Sequence, residues 1–188
     1  QLNSGGTTTA TTKNYFTLWL DQGTSPTNAS YAYVLLPNYS SAQVSNYAAS
    51  PEILILENST NIQAVKETMA KIVAANFLID GAGTVDLITV NQKASVLTQE
   101  DPAVLSVAVA DPTQTNTGTI LVTLDRTARS IASVDPSITV IQLQPTIQLV
   151  VNVSATLGRS LVATFNLENS APVLAPIGNK IANELETL

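Results

Sequence analysis

Thr146-Ile-Gln-Leu-Val-Val-Asn-Val-Ser154 is the stretch whose reading decides the fold class. Ile147, Leu149, Val151 and Val153 fall on one face, and Gln148, Val150, Asn152 and Ser154 on the other. Side chains that alternate with period two describe a β-strand with one face buried in a sheet. Working outward, Thr119 to Leu124, Ser130 to Val134, Thr139 to Leu143 and Ser160 to Asn166 are short apolar runs separated by turn residues. Strands recurring at roughly 8–12-residue spacing point to a sandwich. The chain therefore reads as all-β.

Upstream the same grammar continues. Val104 to Ala110 sets Leu105, Val107 and Val109 on one face, and Thr84 to Val90, Ala94 to Thr98 and Ile53 to Leu56 are further strands. Asp80-Gly-Ala-Gly83, lying between apolar runs, reads as a hairpin turn. Ser40 to Ala49 reads as a short helix, with Ser40 or Ser41 as N-cap, Val44 and Tyr47 as its apolar face and Pro51 as its stop. Tyr15 to Leu20 and Tyr31 to Leu36 read as strands, the second ended by Pro37-Asn38 because proline cannot donate to a ladder. Ser59 to Asp80 is ambiguous. Ile62, Val65, Met69, Ile72 and Val73 recur at helical spacing and Thr60 with Gln63 suits a capping box. Pattern alone favours a helix there; two strands, Ile62 to Glu67 and Ile72 to Leu78, are the alternative.

The polar loop from Asp111-Pro112 to Gly118 suggests a domain boundary. The expected organisation is a flexible segment over 1–13, a first β domain over 14–112, a small β domain over 118–167 and a tail over 168–188. In the tail, Ile181, Leu185 and Leu188 space as a helical set over 179–188; an irregular arm packed on the sandwich is the favoured reading, and a dedicated partner helix is the alternative. The chain opens at Gln1 without a Met, which reads as processing or truncation.

Composition excludes several functions. Eight Lys and Arg against fourteen Asp and Glu give a net charge of -6. Only Lys66/Lys71 and Arg126/Arg129 approach one another in sequence. Gripping a polyanion such as a nucleic acid requires clustered cations, so no nucleic-acid partner is expected. No apolar run nears the roughly 20 residues that span a bilayer, and no membrane partner is expected. With 45% hydrophobic and 12% charged residues, the chain can bury a core. It has no Cys and no His. Thiolate chemistry, disulfides and the commonest general base are therefore missing.

Candidate chemical groups are few. Of the five tyrosines, Tyr31 and Tyr33 share a strand face, Tyr15 begins a strand, and Tyr39 and Tyr47 flank the helix. Aromatic packing is the usual role of such residues. Trp19, in an apolar strand, reads as core rather than as a sugar platform. Asp80 and Asp86 flank a turn, Glu100 and Asp101 precede Pro102, and Asp125, Arg126 and Arg129 form a charged turn. None suggests a metal or cofactor site. Four N-glycosylation sequons begin at Asn28, Asn38, Asn58 and Asn152. The first three fall in expected turns, where a glycan is tolerated, and Asn152 lies on the open face of its strand.

Several runs resemble one family when taken together. They are Tyr15-Phe-Thr-Leu-Trp-Leu-Asp21, Tyr31-Ala-Tyr-Val-Leu-Leu-Pro-Asn38, Ile62-Gln-Ala-Val65, Ala74-Ala-Asn-Phe77 and Ala108-Val-Ala-Asp-Pro-Thr-Gln114. They are similar to the C-terminal β part of polysaccharide lyase family 8, the hyaluronate, chondroitin and xanthan lyases. The chain departs from the family at Gln22, where many relatives have His, and at Leu78, where an aromatic is usual. The resemblance favours two strands over Ser59 to Asp80. It implies that residues 14 to 110 are the last strands of a large antiparallel β supersandwich and 119 to 166 a small C-terminal β-sandwich domain.

It also implies β-elimination on a uronate-containing acidic polysaccharide. In the family an Asn, a His and a Tyr on an α/α-toroid do that chemistry. No catalytic residue carries over onto this sequence, and its substrate-binding residues are unknown. The expected role is a non-catalytic β portion of a secreted, extracellular lyase. Its partner would be a second chain carrying the α/α-toroid and the remaining strands, through which the polysaccharide is met; a cleaved loop near Gln1 would generate it. The alternative is an independent carbohydrate-binding or structural β-sandwich module. The low aromatic content, 5%, argues against a binding module.

Overall fold

A computed structural model describes residues 10, 12–14 and 17–167. It divides into two compact units, Gln1–Tyr39 and Ser40–Leu188. Tyr15, Phe16 and the tail set Ile181, Leu185 and Leu188 lie outside the described residues.

In the second unit a helix, α1 (Ser41–Ala49), is followed by twelve strands among the described residues. These are β1 (Ile53–Asn58), β2 (Ile62–Glu67), β3 (Ile72–Phe77), β4 (Gly83–Val85), β5 (Ile88–Val90), β6 (Ala94–Glu100), β7 (Val104–Ala110), β8 (Thr119–Leu124), β9 (Ala128–Val134), β10 (Ile138–Gln142), β11 (Ile147–Asn152) and β12 (Leu161–Leu167). A seven-stranded sheet has the order β1-β2-β3-β6-β7-β12-β9, and a five-stranded sheet the order β10-β11-β8-β5-β4. Every pairing is antiparallel. The chain is an antiparallel β protein, as its period-two runs predict.

One core lies between the sheets. Leu105, Val107 and Val109 of β7 and Leu161, Ala163 and Phe165 of β12 face Ile120, Val122 and Leu124 of β8 and Ile147, Leu149 and Val151 of β11, all fully buried. Each set occupies alternate positions of its strand, so the pleat sends one row inward and leaves its neighbours at the surface.

The ambiguous segment is a hairpin. β2 pairs with β3 in register from Ile62↔Phe77 to Glu67↔Ile72. The turn puts Lys71 at φ +51. The Glu67 carboxylate accepts from the Met69 amide at 3.1 Å and from the Ala70 amide. Helical spacing misleads here because the turn adds residues between two strands. The buried side chains are Ala64, Val73, Ala75 and Phe77, whereas Met69 is 74% exposed.

Other expectations are corrected. Asp80 to Gly83 is not a hairpin turn but a crossing from the seven-stranded sheet to the five-stranded one. The hairpin lies just beyond, between β4 and β5, where Val85 pairs with Ile88 and Asp86 takes φ +49. Residues 17–20 and 31–36 are in no strand, although their sequences alternate. A strand needs a ladder partner for its backbone groups, and alternation alone supplies none. The loop at 112–118 does not separate two sandwiches. β7 before it pairs with β12 after it, and β5 before it pairs with β8 after it. α1 forms where expected, with Ser40 as the N-cap in a capping box with Gln43, but no residue of it is buried.

Candidate functional site

The loop joining β7 to β8 builds the most organised polar feature. Asp111, only 2% exposed, sits at its root. Its Oδ1 accepts from the Thr113 amide at 2.9 Å and the Thr113 hydroxyl at 2.7 Å, and its Oδ2 accepts from the Asn116 amide at 2.9 Å. Burial pushes this carboxyl up, but the Thr113 hydroxyl and the backbone amides of Asn116, Thr113 and Thr115 outweigh it. They hold Asp111 below the ordinary carboxylate value. Asp and Asn in such loops satisfy local amides that no ladder reaches. The family-like Asp111-Pro-Thr-Gln114 run is thus a loop staple.

This loop and the β3–β4 crossing border an open groove of about 410 Å³, lined by Asp80, Lys93, Gln92, Asp111, Thr115 and Asn116 among others. Lys93 Nζ lies 2.7 Å from Asp80 Oδ1. The groove offers hydroxyls, amides and one ion pair. The Asp111 oxygens already take amides and a hydroxyl from their own loop. No group of three His, Cys, Asp or Glu side chains able to hold a metal comes together among the described residues.

The other sequence candidates are scattered. Asp86 pairs with Lys66 at 2.9 Å and Glu100 with Arg126 Nε at 2.8 Å. Asp101 closes the β6–β7 turn, its backbone amide donating to the Val104 carbonyl at 2.8 Å. The Arg126 guanidinium also donates to the Asp125 carbonyl. Asp135, not singled out from the sequence, lies below its ordinary value. The Ser137 amide is the main cause, and Arg159, 2.9 Å away, adds to it. These are turn closures and ion pairs rather than a constellation.

Trp19 is not core: it is 73% exposed. Tyr31 and Tyr33 are more than half exposed, with rings 6.4 Å apart and nearly parallel. Tyr39 is exposed and Tyr47 lies within α1. Asn28 and Asn38 occupy a bend and a turn with φ +56 and +63, Asn58 ends β1, and Asn152 ends β11. All four are exposed. No helix among the described residues is long and apolar enough to cross a membrane.

Comparison with known proteins bears on the family of the chain. Residues 1–48 match the polysaccharide lyase family 8 super-sandwich domain, and residues 54–120 match the family's C-terminal β-sandwich domain. The two matches meet between residues 48 and 54, at α1 and β1. Xanthan lyase of Bacillus sp. (strain GL1) is 52% identical over 88% of this chain, which covers 18% of that protein. Hyaluronate lyase of Thermasporomyces composti is 34% identical over 86% of the chain, covering 21% of that protein. The structure of Paenibacillus xanthan lyase superposes with a TM-score of 0.68 at 45% identity, over 77% of this chain and 14% of that one. That of a Streptomyces coelicolor A3 chondroitin AC lyase variant gives 0.73 at 25% identity, over 79% and 20%. The chain spans about a fifth or less of the length of these relatives. It belongs to polysaccharide lyase family 8, and corresponds to that family's C-terminal β region.

Proposed function

We propose that this chain is the non-catalytic β portion of a secreted lyase that cleaves a uronate-containing acidic polysaccharide by β-elimination. The observation that carries the reading is the 52% identity to a xanthan lyase over most of this chain, within a small share of that enzyme. The higher identity to the xanthan lyase than to the hyaluronate lyase, 52% against 34%, favours a xanthan-type polymer. β-Elimination needs a base to take the proton beside the uronate carboxylate, neutralisation of that carboxylate and an acid for the leaving oxygen. The toroid-bearing part, as a second chain or a preceding region, would supply these groups, and the sandwich would support it and its cleft. Acting on a polymer too large to enter a cell, such an enzyme would work outside it. In a eukaryotic secretory pathway the exposed Asn28, Asn38, Asn58 and Asn152 would be glycan acceptors.

The test compares xanthan, hyaluronan and chondroitin, following the ultraviolet absorbance of the unsaturated uronate product. The chain alone should give none. Joined to a toroid-bearing part, it should give product from xanthan first. Turnover by the isolated chain would overturn the non-catalytic reading, and preference for hyaluronan would overturn the substrate.

A further inference from the structure

Three connections carry the chain from one sheet to the other at the same end of the sandwich: β3 to β4, β5 to β6 and β7 to β8. Between them the β4–β5 and β6–β7 hairpins turn at the opposite end. The open groove of about 410 Å³ lies where the three connections meet, and its size is that of a ligand site. Each wall is tied down from behind. Asn91 exchanges two hydrogen bonds with Leu121, at 2.9 and 3.2 Å, and Gln92 Nε2 donates to the Thr119 carbonyl. Asp111 staples the third connection, where Asn116 Oδ1 also accepts from the Gly118 amide at 2.8 Å. These anchors leave other groups over. Among the described residues, the Asn116 side-chain nitrogen, the Thr117 hydroxyl and the Gln92 side-chain oxygen have no protein partner. They are donors and acceptors held in place with no internal use.

We propose that this groove binds uncharged sugar units of a polysaccharide; that xanthan is the polymer rests on the lyase reading above. Charge selects the class. Lys93 is the cation of the groove, and Asp80 neutralises it at 2.7 Å in a chain of net charge -6. A uronate or a phosphate would have to displace Asp80 from Lys93 against the field of the whole chain. A sugar hydroxyl needs no such exchange, because it both donates and accepts and so matches the mixed Asn, Thr and Gln groups. The lining holds no aromatic ring on which a nucleobase could stack. Without a ring to stack the sugar either, affinity is modest, on the order of 1 mM.

The experiment titrates the nitrogen-15-labelled full chain with xanthan oligosaccharides, native and with their carboxyl groups reduced to alcohols, and reads amide shifts. Both forms should move the amides of residues 80, 92, 93 and 113–118, with dissociation constants within about threefold of each other. Raising NaCl from about 0.05 to 0.5 M should leave both constants unchanged, since no net charge is paired. Thr117→Val keeps the shape of an exposed side chain and removes its hydroxyl; it should weaken both forms by about 3–10-fold with the shifts of β7, β11 and β12 unaltered. No movement at these residues up to about 10 mM sugar would overturn the site. So would movement confined to Trp19, Tyr31 and Tyr33, or an affinity that Thr117→Val leaves as it was. Binding of the native form about tenfold tighter than the reduced one, and lost in salt, would overturn the uncharged class. Formation of unsaturated uronate by the chain joined to a toroid-bearing part reads the lyase proposal separately. Binding without that product sinks the lyase proposal alone, and product without binding sinks this inference alone.

Discussion

Asp111 shows how a buried charge is kept in a β protein. Its carboxylate is withdrawn from water but receives the Thr113 amide and hydroxyl and the Asn116 amide. Leaving such amides unmet costs about 1–3 kcal/mol. Asp111→Asn turns one acceptor oxygen into a donor facing an amide, and should lower unfolding stability by about 1–2 kcal/mol at neutral pH. Because the folded-state value is lowered, the stabilisation is present above the ordinary 3.8 and is lost as pH falls through the depressed value. The gap between parent and variant, followed by urea titration against pH, should therefore close below about pH 3.8. A gap constant down to pH 2 would show that the charge is not what the loop stabilises. The Asp-Pro-Thr-Gln run was legible in the sequence as a family mark; its role as a staple required knowing which amides face the carboxylate.

At the scale of elements, the crossing between β3 and β4 depends on one close approach. A Cβ built on Gly83 would lie 2.8 Å from Phe77 Cδ1, and Phe77 is fully buried in the core. Gly83→Ala must displace that ring, and overpacking of this kind costs about 1–3 kcal/mol. A thermal melt should show the loss, and Phe77→Leu should relieve part of it in the double variant; additive effects would rule out the clash as the cause. The same stretch explains why Ser59 to Asp80 divides opinion between helix and hairpin. Ile62, Val65, Met69 and Ile72 repeat at helical intervals only because the turn after β2 resets the count. The register of β2 with β3 buries Ala64, Ala75 and Phe77, residues outside that repeat.

At the scale of the whole molecule, the two sheets of the sandwich interleave chain segments far apart in sequence. β12 lies between β7 and β9, and β8 between β11 and β5. A break within residues 112–118 therefore leaves each half with part of both sheets. Cleavage there should yield two fragments that stay associated and unfold in one transition, followed by near-ultraviolet dichroism and by size. Two separate transitions, or two separable folded pieces, would restore a boundary at that loop. The exposed ion pairs add little to this unit, since such pairs are worth about 0–1 kcal/mol. The core rows of β7, β8, β11 and β12 hold it together.

Most strands of the sandwich were determined by the sequence itself, although local pattern favoured a helix over β2 and β3 and ran β4 and β5 together as one strand. A strand's identity is written in local alternation, as in Ile147, Leu149 and Val151, and the Ser40 cap is equally local. Only the tertiary structure decided which strands pair, where the sandwich begins, and that residues 17–20 and 31–36 alternate without a ladder here. Pairing joins residues distant along the chain, and its outcome depends on which faces and edges are present to be satisfied. A local pattern can announce a strand; it cannot supply the neighbour that makes it one.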